Sequence, residues 1–475
     1  MKSVKDKSFL AIFFPIFIET LFMILCGVVD TLMLSGVGDK EVGGVGAAST
    51  YLNLFTILFL VVSSGMTAVV SQHYGKRKYG IASQAYKVGF IFNLISGTTI
   101  SLVLGVFSKD ILILLNTAPE LLESSTTYMQ AIGVTLFLNA LIPIGNSYLR
   151  CFKHVKEPLI IIIISNVINV ILNALFIFVF EYGVLGAALA TIISRVINFV
   201  LIMIVIKKRI IIPKNQEIIK KREVLGMIMK IGIPSALENA LYNIGIIIIT
   251  YFLNQMDPNG LNMTVRSYAS QISSFTYAIT LALTSTNILF VGWMIGRKEY
   301  DKCFKLTNKV TLVGLASAIV VSALAAIFCE PIMSLFTQNK EIIRVIRTVF
   351  IMDIFLEVGR VFNMVYGNAL KTSGDAVYTV IVAVISMFVF AVGGTYVFGI
   401  ALSLAVFGCY FAMSLDELFR GMFMIFRWRS KKWMNKSLIK HDDEELGDDI
   451  DTLLAKERML EKSKVVKVIK YIRKA

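Results

Sequence analysis

The amino-acid sequence predicts an all-α integral membrane protein with twelve transmembrane helices in two six-helix lobes, related by a parallel internal repeat. Of its 475 residues, 56% are hydrophobic and only 17% are charged, whereas soluble domains have about 45–50% apolar and about 25% charged residues. Many apolar residues form runs of about 20, the length that a helix needs to cross a bilayer core of about 30 Å. In addition, several motifs occur twice along the chain.

The repeated motifs keep a nearly constant spacing. Residues 15–19 return as 234–238, at an offset of 219, and residues 75–79 return as 296–300, at an offset of 221. Two weaker matches, also at an offset of 221, join 111–117 to 332–338 and 149–150 to 370–371. Because each half holds an even number of predicted spans, both halves enter the membrane from the same side, and the repeat is parallel.

Twelve apolar segments have the length of a transmembrane helix. In chain order they lie at 9–34, 46–72, 86–106, 125–149, 158–180, 185–206, 228–254, 264–292, 305–328, 342–370, 376–398 and 401–426. The first segment is of full spanning length and has no small-residue cleavage site, so we expect a transmembrane helix there and not a signal peptide.

These spans predict four parts in the chain. An N-terminal lobe covers 1–206, a basic cytoplasmic crossover covers 207–227, a C-terminal lobe covers 228–429 and a charged cytoplasmic tail covers 430–475. Within the tail, 441–451 is acidic and 462–474 is basic with its apolar residues on one helical face. This last stretch is either an amphipathic helix on the anionic inner leaflet or a solvated tail.

The net charge of +15 indicates a topology and does not indicate nucleic-acid binding. Connections after even-numbered spans hold 17 Lys and Arg residues, and connections after odd-numbered spans hold three. Arg266, Arg344 and Arg347 lie at predicted outer span ends and do not reverse this asymmetry. Because positive residues stay in the cytoplasm, both termini are predicted to be cytoplasmic. The Ile- and Lys-rich composition with short loops favours a bacterial plasma (inner) membrane.

The distribution of Cys and His argues against metal, redox and enzymatic chemistry. The five cysteines are scattered, and the three histidines fall in predicted cytoplasmic loops or the tail. No disulfide framework or metal spacing follows from these positions. We also find no nucleophile–base pair at membrane depth, so we expect a protein that is not an enzyme and has no cofactor.

Asp30 is the first candidate for a functional residue, since ionisable side chains inside a membrane are costly. It follows about twenty mostly apolar residues and has no basic residue three or four positions away. We therefore expect its carboxylate to be protonated or bound to a cation. The alternative is that Asp30 lies near the outer end of its span and reaches interfacial water.

Polar residues on the fifth and sixth spans extend this candidate site. Asn166, Asn169 and Asn173 are spaced three and four apart, so they share one helical face, and Thr191 lies on the next span. With Asp30, their oxygens would form a cage for a monovalent cation. The alternative is that the Asn side chains only make hydrogen bonds between helices.

The second lobe carries more charge than a membrane setting requires. Asp353, Glu357 and Arg360 share a face of the tenth span, with Asn363 three residues further. Glu357 and Arg360 can pair, which reduces the cost of burying either charge. The set is either a structural ion pair or a second cation or substrate site with Asp353 as its unpaired acid. Candidates for the wall of a substrate cavity in this lobe are Tyr242, Asn243 and Gln271.

The twelfth span carries three further charged residues near its predicted cytoplasmic end. We expect them to form ion pairs with one another at the inner gate of the lobe: Asp416, Glu417 and Arg420.

Several motifs together resemble one transporter family. In the first half they are Pro15…Glu19…Asp30-Thr31…Gly36-Val37-Gly38, Ser71-Gln72…Gly75, Asn169…Asn173 and Gly183…Gly186-Ala187-Ala188. In the second half they are Gly232-Ile233-Pro234…Glu238-Asn239, Glu357-Val358-Gly359-Arg360…Asn363 and Asp416-Glu417…Arg420-Gly421. Over residues 9–430 the chain is similar to prokaryotic members of the multidrug and toxin extrusion (MATE) family.

The resemblance implies a secondary antiporter that exports organic, often cationic, compounds in exchange for Na⁺ or H⁺. Asp30 matches a first-span aspartate that takes up the coupling cation, and Asn169 and Thr191 match further ligands. Asn173 departs from members that carry a second aspartate there, although others carry Asn. A single carboxylate favours Na⁺ over H⁺. The expected partners are a small organic substrate, a monovalent cation and the lipid bilayer, with no nucleic acid, and the expected functional unit is a monomer.

Two other transporter classes fit the sequence less well, and a channel stays an open alternative. A flippase of a lipid-linked cell-envelope precursor shares this architecture but usually has a more basic cavity, and here only Arg195 is a deep cation without an obvious partner. A major-facilitator transporter would carry an Asp-Arg core after its second span, which 75–80 lacks. A channel would differ by flux without a coupling gradient.

Overall fold

The structure is a computed structural model that describes residues 8–115, 117–213, 216–256, 261–334 and 337–439. In these ranges the chain is helical and contains no strand. The first seven helices are α1 (Phe9–Ser35), α2 (Asp39–Gly75), α3 (Tyr79–Leu114), α4 (Pro119–Val134), α5 (Leu136–Cys151), α6 (Lys156–Asn173) and α7 (Gly183–Arg209). The next seven are α8 (Lys221–Met256), α9 (Leu261–Gly296), α10 (Tyr300–Ile327), α11 (Cys329–Met333), α12 (Lys340–Ser373), α13 (Ala376–Ser386) and α14 (Ala405–Arg429).

Short segments of other helical type extend two of these helices. A π-helical segment, Ala174–Val179, continues α6, and two more, Met387–Gly393 and Thr395–Ala401, continue α13. A 3₁₀ turn, Lys432–Lys436, follows α14. The predicted tail features at 441–451 and 462–474 lie outside the described residues.

Most predicted spans correspond to helices that are able to cross a membrane. Among the described residues, nine helices are long and apolar enough, and α4 with α5 forms a bent pair that raises the number to ten. The helices α12 and α14 have 34 and 25 residues and carry more charge. The protein is therefore a multi-pass, all-helical membrane protein.

The predicted span at 125–149 is wrong as a single straight helix. The chain bends by 49° between α4 and α5, at Thr135, whose φ of −104° and ψ of 11° are not helical. Thr135 Oγ1 donates back to Ile132 O at 3.1 Å, a bond that tends to bend helices. Ser101 Oγ on α3 accepts the hydrogen bond of the Phe137 amide at 2.9 Å. The hydroxyl of Ser101 thus replaces the backbone carbonyl that the Phe137 amide would bond in an unbroken helix.

Two groups of helices meet along one central junction. A buried apolar cluster around Leu104 and Met129 belongs to the first half of the chain, and another, around Phe350 and Tyr410, belongs to the second half. A third cluster joins residues of α1, α2, α3 and α5 to residues of α8 and α9, including Tyr148 and Trp293. The junction therefore runs between α1 and α2 on one side and α8 and α9 on the other.

Glycines allow the backbones to approach at this junction. We call the end that carries residues 76–78, 207–209 and 297–298 the basic end. There, a side chain on Gly75 would collide with the backbone of Trp293, and one on Gly296 would collide with Gln72 and Gly75. Gly75 and Gly296 occupy matching places in the repeated motif, so each half supplies one of the two contacts.

After α14 the chain turns back across the basic end. Trp433 is fully buried, its ring stacks on Trp428 with centroids 4.2 Å apart, and its indole N–H donates to Trp428 O at 3.0 Å. Leu438 packs against apolar residues of both groups of helices. We call residues 430–439 the strap.

One side chain connects the strap to both halves. Gln72 on α2 donates through Nε2 to Thr372 O on α12 at 2.6 Å. Its Oε1 accepts hydrogen bonds from Ser437 Oγ at 3.3 Å and from the Leu438 amide at 3.2 Å. Gln72 is fully buried, so these bonds are shielded from water and hold α2, α12 and the strap together.

Candidate functional site

A chain of polar side chains links α1, α6 and α7 in the first half. Asn173 Nδ2 donates to Asp30 Oδ1 at 2.9 Å and lies 3.2 Å from Asn169 Oδ1. Asn169 Nδ2 in turn reaches Ser194 Oγ at 3.5 Å. Asn169 and Asn173 are buried, whereas Asp30 is partly buried. Three of the four residues predicted for a cation site are therefore in direct contact.

Thr191, the fourth predicted residue, is one step removed. Its hydroxyl donates to Ala187 O of its own helix at 2.9 Å. Among the described residues, it joins the polar chain only through its carbonyl oxygen, which accepts from Ser194 Oγ at 2.9 Å. Ser194 is not among the predicted residues, although it lies three residues after Thr191 and so on the same face of α7.

Local helix geometry places the amides of α6. The spacing of four residues between Asn169 and Asn173 stacks them on one face, and the helix changes to π-helical geometry immediately after Asn173. Stretches of π-helical geometry are frequent at functional sites. The side chain of Asn166 makes none of the contacts of this site among the described residues.

Arg195 on α7 is the basic residue that the sequence analysis did not bring to this site. No basic residue lies near Asp30 along α1, but the guanidinium of Arg195 and the carboxylate of Asp30 are close enough for electrostatic attraction. They form no ion pair among the described residues, and Arg195 Nη1 is buried without a hydrogen-bond partner there. The carboxylate of Asp30 is thus near a positive charge of a neighbouring helix but forms no ion pair with it.

The oxygen atoms of this site fit a small hard cation. Asp30 supplies a carboxylate, and Asn173 Oδ1 is a buried carbonyl oxygen without a partner in the described part of the chain. Carboxylate and amide oxygens are ligands that hard cations prefer. Among the described residues, no group of three or more His, Cys, Asp or Glu side chains has the arrangement of a metal site.

The second half of the chain contains an open cavity of about 600 Å³. It lies between α8, α9, α12 and α14, and four of the predicted residues, Tyr242, Asp353, Arg360 and Asn363, line it. Asn243 and Gln271 were predicted to line the cavity, and this is wrong. Asn243 follows Tyr242 and Gln271 follows Ser270, so each points about 100° away from the lining face of its helix.

The charged residues of α12 are largely neutralised by neighbours. Arg360 pairs with Glu357, one turn earlier on the same helix, and Asn363 Nδ2 donates to Glu417 Oε2 on α14 at 3.0 Å. Asp353 accepts a hydrogen bond from Ser273 Oγ at 2.8 Å and forms no ion pair among the described residues. It is also only 4% exposed, so it is the least compensated acid of this wall.

The charged residues Asp416, Glu417 and Arg420 lie near the middle of α14. Their predicted position near the cytoplasmic end of the twelfth span is therefore corrected. Arg420 pairs with Asp416, with Nε and Oδ1 3.1 Å apart, and its Nη2 lies 3.8 Å from Glu417 Oε1. Its guanidinium also lies 5.8 Å from the ring centroid of Tyr242. Arg420 therefore forms part of the cavity wall at mid-helix.

The repeated motifs form matching ion pairs, one in each half. Glu19 on α1 lies 2.5 Å from Arg150 on α5, and Glu238 on α8 lies 2.8 Å from Lys371 on α12. Arg150 and Lys371 directly follow the predicted spans at 125–149 and 342–370, and both are largely buried partners of these acids. The shared offsets of about 220 residues relate both members of one pair to both members of the other.

Comparisons with known proteins agree with this architecture. The family model MatE matches residues 15–175 and 234–397. A Bacillus subtilis relative, "Uncharacterized transporter YisQ", is 32% identical over 446 residues, covering 92% of this chain and 98% of the relative. A Thermotoga maritima relative, "Probable multidrug resistance protein NorM", is 21% identical over 457 residues, covering 93% of this chain and 96% of the relative.

Solved structures show the same fold. A structure described as the outward-facing conformation of a multidrug resistance MATE family transporter superimposes with a TM-score of 0.82 at 19% identity, covering 91% of this chain and 96% of that one. A point mutant of the Vibrio cholerae MATE transporter VcmN superimposes with a TM-score of 0.83 at 18% identity, covering 90% of this chain and 98% of that one.

Proposed function

The chain belongs to the MatE family of multidrug efflux transporters, and from this premise we propose that it is a secondary antiporter. It exports organic, often cationic, compounds from the cytoplasm in exchange for Na⁺ or H⁺. The observation that carries the proposal is the contact between Asp30 and Asn173, which places a carboxylate and buried amides together inside a multi-pass membrane protein.

The topology that goes with this function has twelve spans. Besides the ten candidates, α12 and α14 cross the membrane, since their charges face neighbouring helices and one another and do not face lipid. The helices α1–α7 then form one lobe and α8–α14 the other, and the basic end faces the cytoplasm. Bacterial relatives that match 92% and 93% of this chain support a location in the plasma membrane.

Coupling follows from the different affinity of two conformations for the same ion. An outside cation that binds between Asp30 and Asn173 stabilises the arrangement of α1, α6 and α7 in which these residues are in contact. Release of the cation to the cytoplasm removes that stabilisation and resets the cavity. Two observations support Na⁺ as the coupling ion. Asn173 Nδ2 donates to Asp30 and so favours its ionised form, and Asn173 Oδ1, without a partner in the described part of the chain, is an oxygen that can bind a metal cation.

Dye efflux from proteoliposomes tests this proposal directly. An imposed Na⁺ gradient or an imposed pH gradient is expected to drive efflux by the wild-type protein, and Asp30→Asn is expected to abolish coupled efflux because the charge that holds the cation is gone. Asp110→Asn is a matched control, since Asp110 is exposed on α3 and makes no contact with the site. Full gradient-driven efflux by the Asp30→Asn protein contradicts the proposal.

A further inference from the structure

The polar contacts near Asp30 continue along the interface between α6 and α7 towards the basic end. The two helices are antiparallel, so their facing residues form successive layers, which we call rungs. At the first rung, Asn169 Nδ2 reaches Ser194 Oγ at 3.5 Å. At the second rung, Asn198 Nδ2 donates to Ser165 Oγ at 2.8 Å. In both helices the second rung lies four residues closer to the basic end, which corresponds to about 6 Å at about 1.5 Å per residue.

The interface continues from the second rung to the surface of the basic end. Four residues further along each helix, Ile161 and Ile202 are buried in one apolar cluster and form a third rung. Beyond them, Arg209 Nε lies 3.5 Å from Glu157 Oε1, and the side chain of Glu157 is 20% exposed. Two polar rungs are thus separated from a partly exposed acid by a single apolar rung.

The second rung holds an oxygen atom that its neighbours do not use. Asn198 is only 7% exposed, and its Oδ1 has no hydrogen-bond partner in the described part of the chain. A buried acceptor without a donor is costly, so hydrogen bonding between helices does not by itself account for an asparagine here. Asn173 Oδ1, beside Asp30, is in the same condition. Both oxygens are therefore available to a desolvated cation.

The chemistry of the rungs suits a metal cation better than a proton. Amide and hydroxyl oxygens can replace the hydration shell of a hard cation, whereas an amide side chain has no ionisable group that takes up a proton and passes it on. Arg195 follows Ser194 along α7, and its positive charge weakens the binding of a cation nearby. Weak binding is what a transit route requires, because an ion that binds tightly does not leave.

From this succession of oxygens, we propose that the coupling Na⁺ passes from Asp30 to the cytoplasm along the interface between α6 and α7. Asn198 and Ser165 form a transit site for the ion. Ile161 and Ile202 form the barrier that it crosses last before it reaches water at the basic end. This inference rests on the proposed function, because it takes Asp30 as the residue where the ion binds. The route lies in the first half of the chain, apart from the cavity of the second half.

Exchange of radioactive Na⁺ tests this route without any organic substrate. The full-length protein is placed in proteoliposomes with equal NaCl on both sides, so that ²²Na⁺ crosses by the Na⁺-loaded half of the transport cycle alone. Asn198→Leu is expected to slow this exchange about tenfold, because the desolvated cation loses an oxygen ligand. Calorimetry with NaCl is expected to find its Na⁺ affinity within about twofold of wild type, because the oxygens around Asp30 are intact.

Two further variants serve as controls for Asn198→Leu. Asn198→Thr keeps an oxygen at the second rung, so most of the exchange rate is expected to return. Asn243→Leu makes the same change of side chain on α8, where the amide of Asn243 donates within its own helix. It is expected to exchange ²²Na⁺ as the wild-type protein does.

A pair of substitutions of nearly the same size tests the apolar rung. Ile161→Thr adds an oxygen there, whereas Ile161→Val does not. We expect Ile161→Thr to exchange ²²Na⁺ about threefold faster than Ile161→Val, because the added hydroxyl lowers the barrier for a desolvated ion. If Ile161 has only a packing role, the threonine variant is no faster, since a buried hydroxyl only disturbs an apolar cluster.

The outcomes separate the route from the antiport proposal. The route is overturned if Asn198→Leu exchanges Na⁺ at the wild-type rate, if it loses as much Na⁺ affinity as Asp30→Asn, or if Ile161→Thr is no faster than Ile161→Val. Wild-type protein that exchanges no ²²Na⁺ also overturns the route, and dye efflux driven by a pH gradient would then leave antiport with H⁺ in place. If exchange responds to the variants as expected but no gradient drives dye efflux, the antiport proposal fails while the route stands.

Discussion

Asp30 is held between two influences from neighbouring helices. Asn173 donates a hydrogen bond to one of its oxygens, and Arg195 adds a positive charge nearby. The amide favours a charged carboxylate that is ready for a cation, whereas the guanidinium competes with that cation for the same negative charge. For the proposed cation site, we therefore expect the affinity to depend on Arg195, although this residue makes no ion pair with Asp30 among the described residues.

Replacing Arg195 tests this competition. Arg195→Met removes the charge and keeps much of the stem, so we expect Na⁺ affinity to rise about tenfold, as expected for a charge at close range in a medium of intermediate dielectric. Isothermal calorimetry with NaCl on the purified protein measures it. Arg195→Lys, which keeps the charge, is the control, and a weaker Na⁺ affinity in Arg195→Met contradicts the idea.

Much of this site could be predicted from the sequence, but not all of it. Asp30, Asn169 and Asn173 were predictable because a carboxylate at membrane depth and a face of amides are visible in the sequence alone. Arg195 and Ser194 were not, since their importance depends on how α7 packs against α1 and α6. Na⁺ as the coupling ion stays a prediction.

The ion pairs of the repeated motifs are the other residue-level feature with a measurable consequence. Glu19→Gln leaves Arg150 without its acid, and we expect a loss of about 1–3 kcal/mol of stability, because an uncompensated charge remains largely buried. Thermal unfolding in detergent measures the change. The double variant Glu19→Gln/Arg150→Gln is expected to recover part of the loss, and additive losses would show that the pair does not interact.

At the scale of elements, the bend between α4 and α5 depends on a third helix. The Phe137 amide, freed by the bend, is satisfied by Ser101 Oγ of α3. The hydrophobic pattern predicted a span at 125–149 correctly in position but not in shape. Its break depends on a hydroxyl about 35 residues away, so no local pattern could reveal it.

Ser101→Ala is expected to destabilise the protein by about 1–2 kcal/mol, the typical cost of leaving a buried amide without an acceptor. The measurement is unfolding of the purified protein by heat. Ser96→Ala is the matched control on the same helix, because the Ser96 hydroxyl bonds only within α3. Equal stability of both variants would show that the bend does not need Ser101.

At the scale of the whole molecule, the basic end is closed by three contacts that share one residue. Gln72 binds α12 and the strap simultaneously, and Cys151 lies buried in the junction close by, with its carbonyl bonded to Trp293. The sequence predicted 430–475 only as a charged cytoplasmic tail. The strap escaped prediction because its role depends on packing across the two halves.

Gln72→Ala is expected to expose the junction, since up to three buried hydrogen bonds of about 1 kcal/mol each are lost. In a variant that retains only Cys151, a membrane-impermeant maleimide should label this thiol about tenfold faster than in the parent. Gln130→Ala, at an exposed position of α4, is the control. Unchanged labelling of Cys151 would mean that the strap does not hold the basic end closed.

The glycine contacts at the basic end relate the two halves of the chain as if they were two subunits of a dimer. Gly75 meets the helix of Gly296, and Gly296 meets the helix of Gly75, so the contact is self-complementary in the manner of an isologous, twofold dimer interface. Two copies of one half-length chain would be able to make the same contact with each other. By the motif offset, the counterpart of Asp30 is the fully buried Ile249, so the two halves share the glycine contact and differ at the candidate cation site.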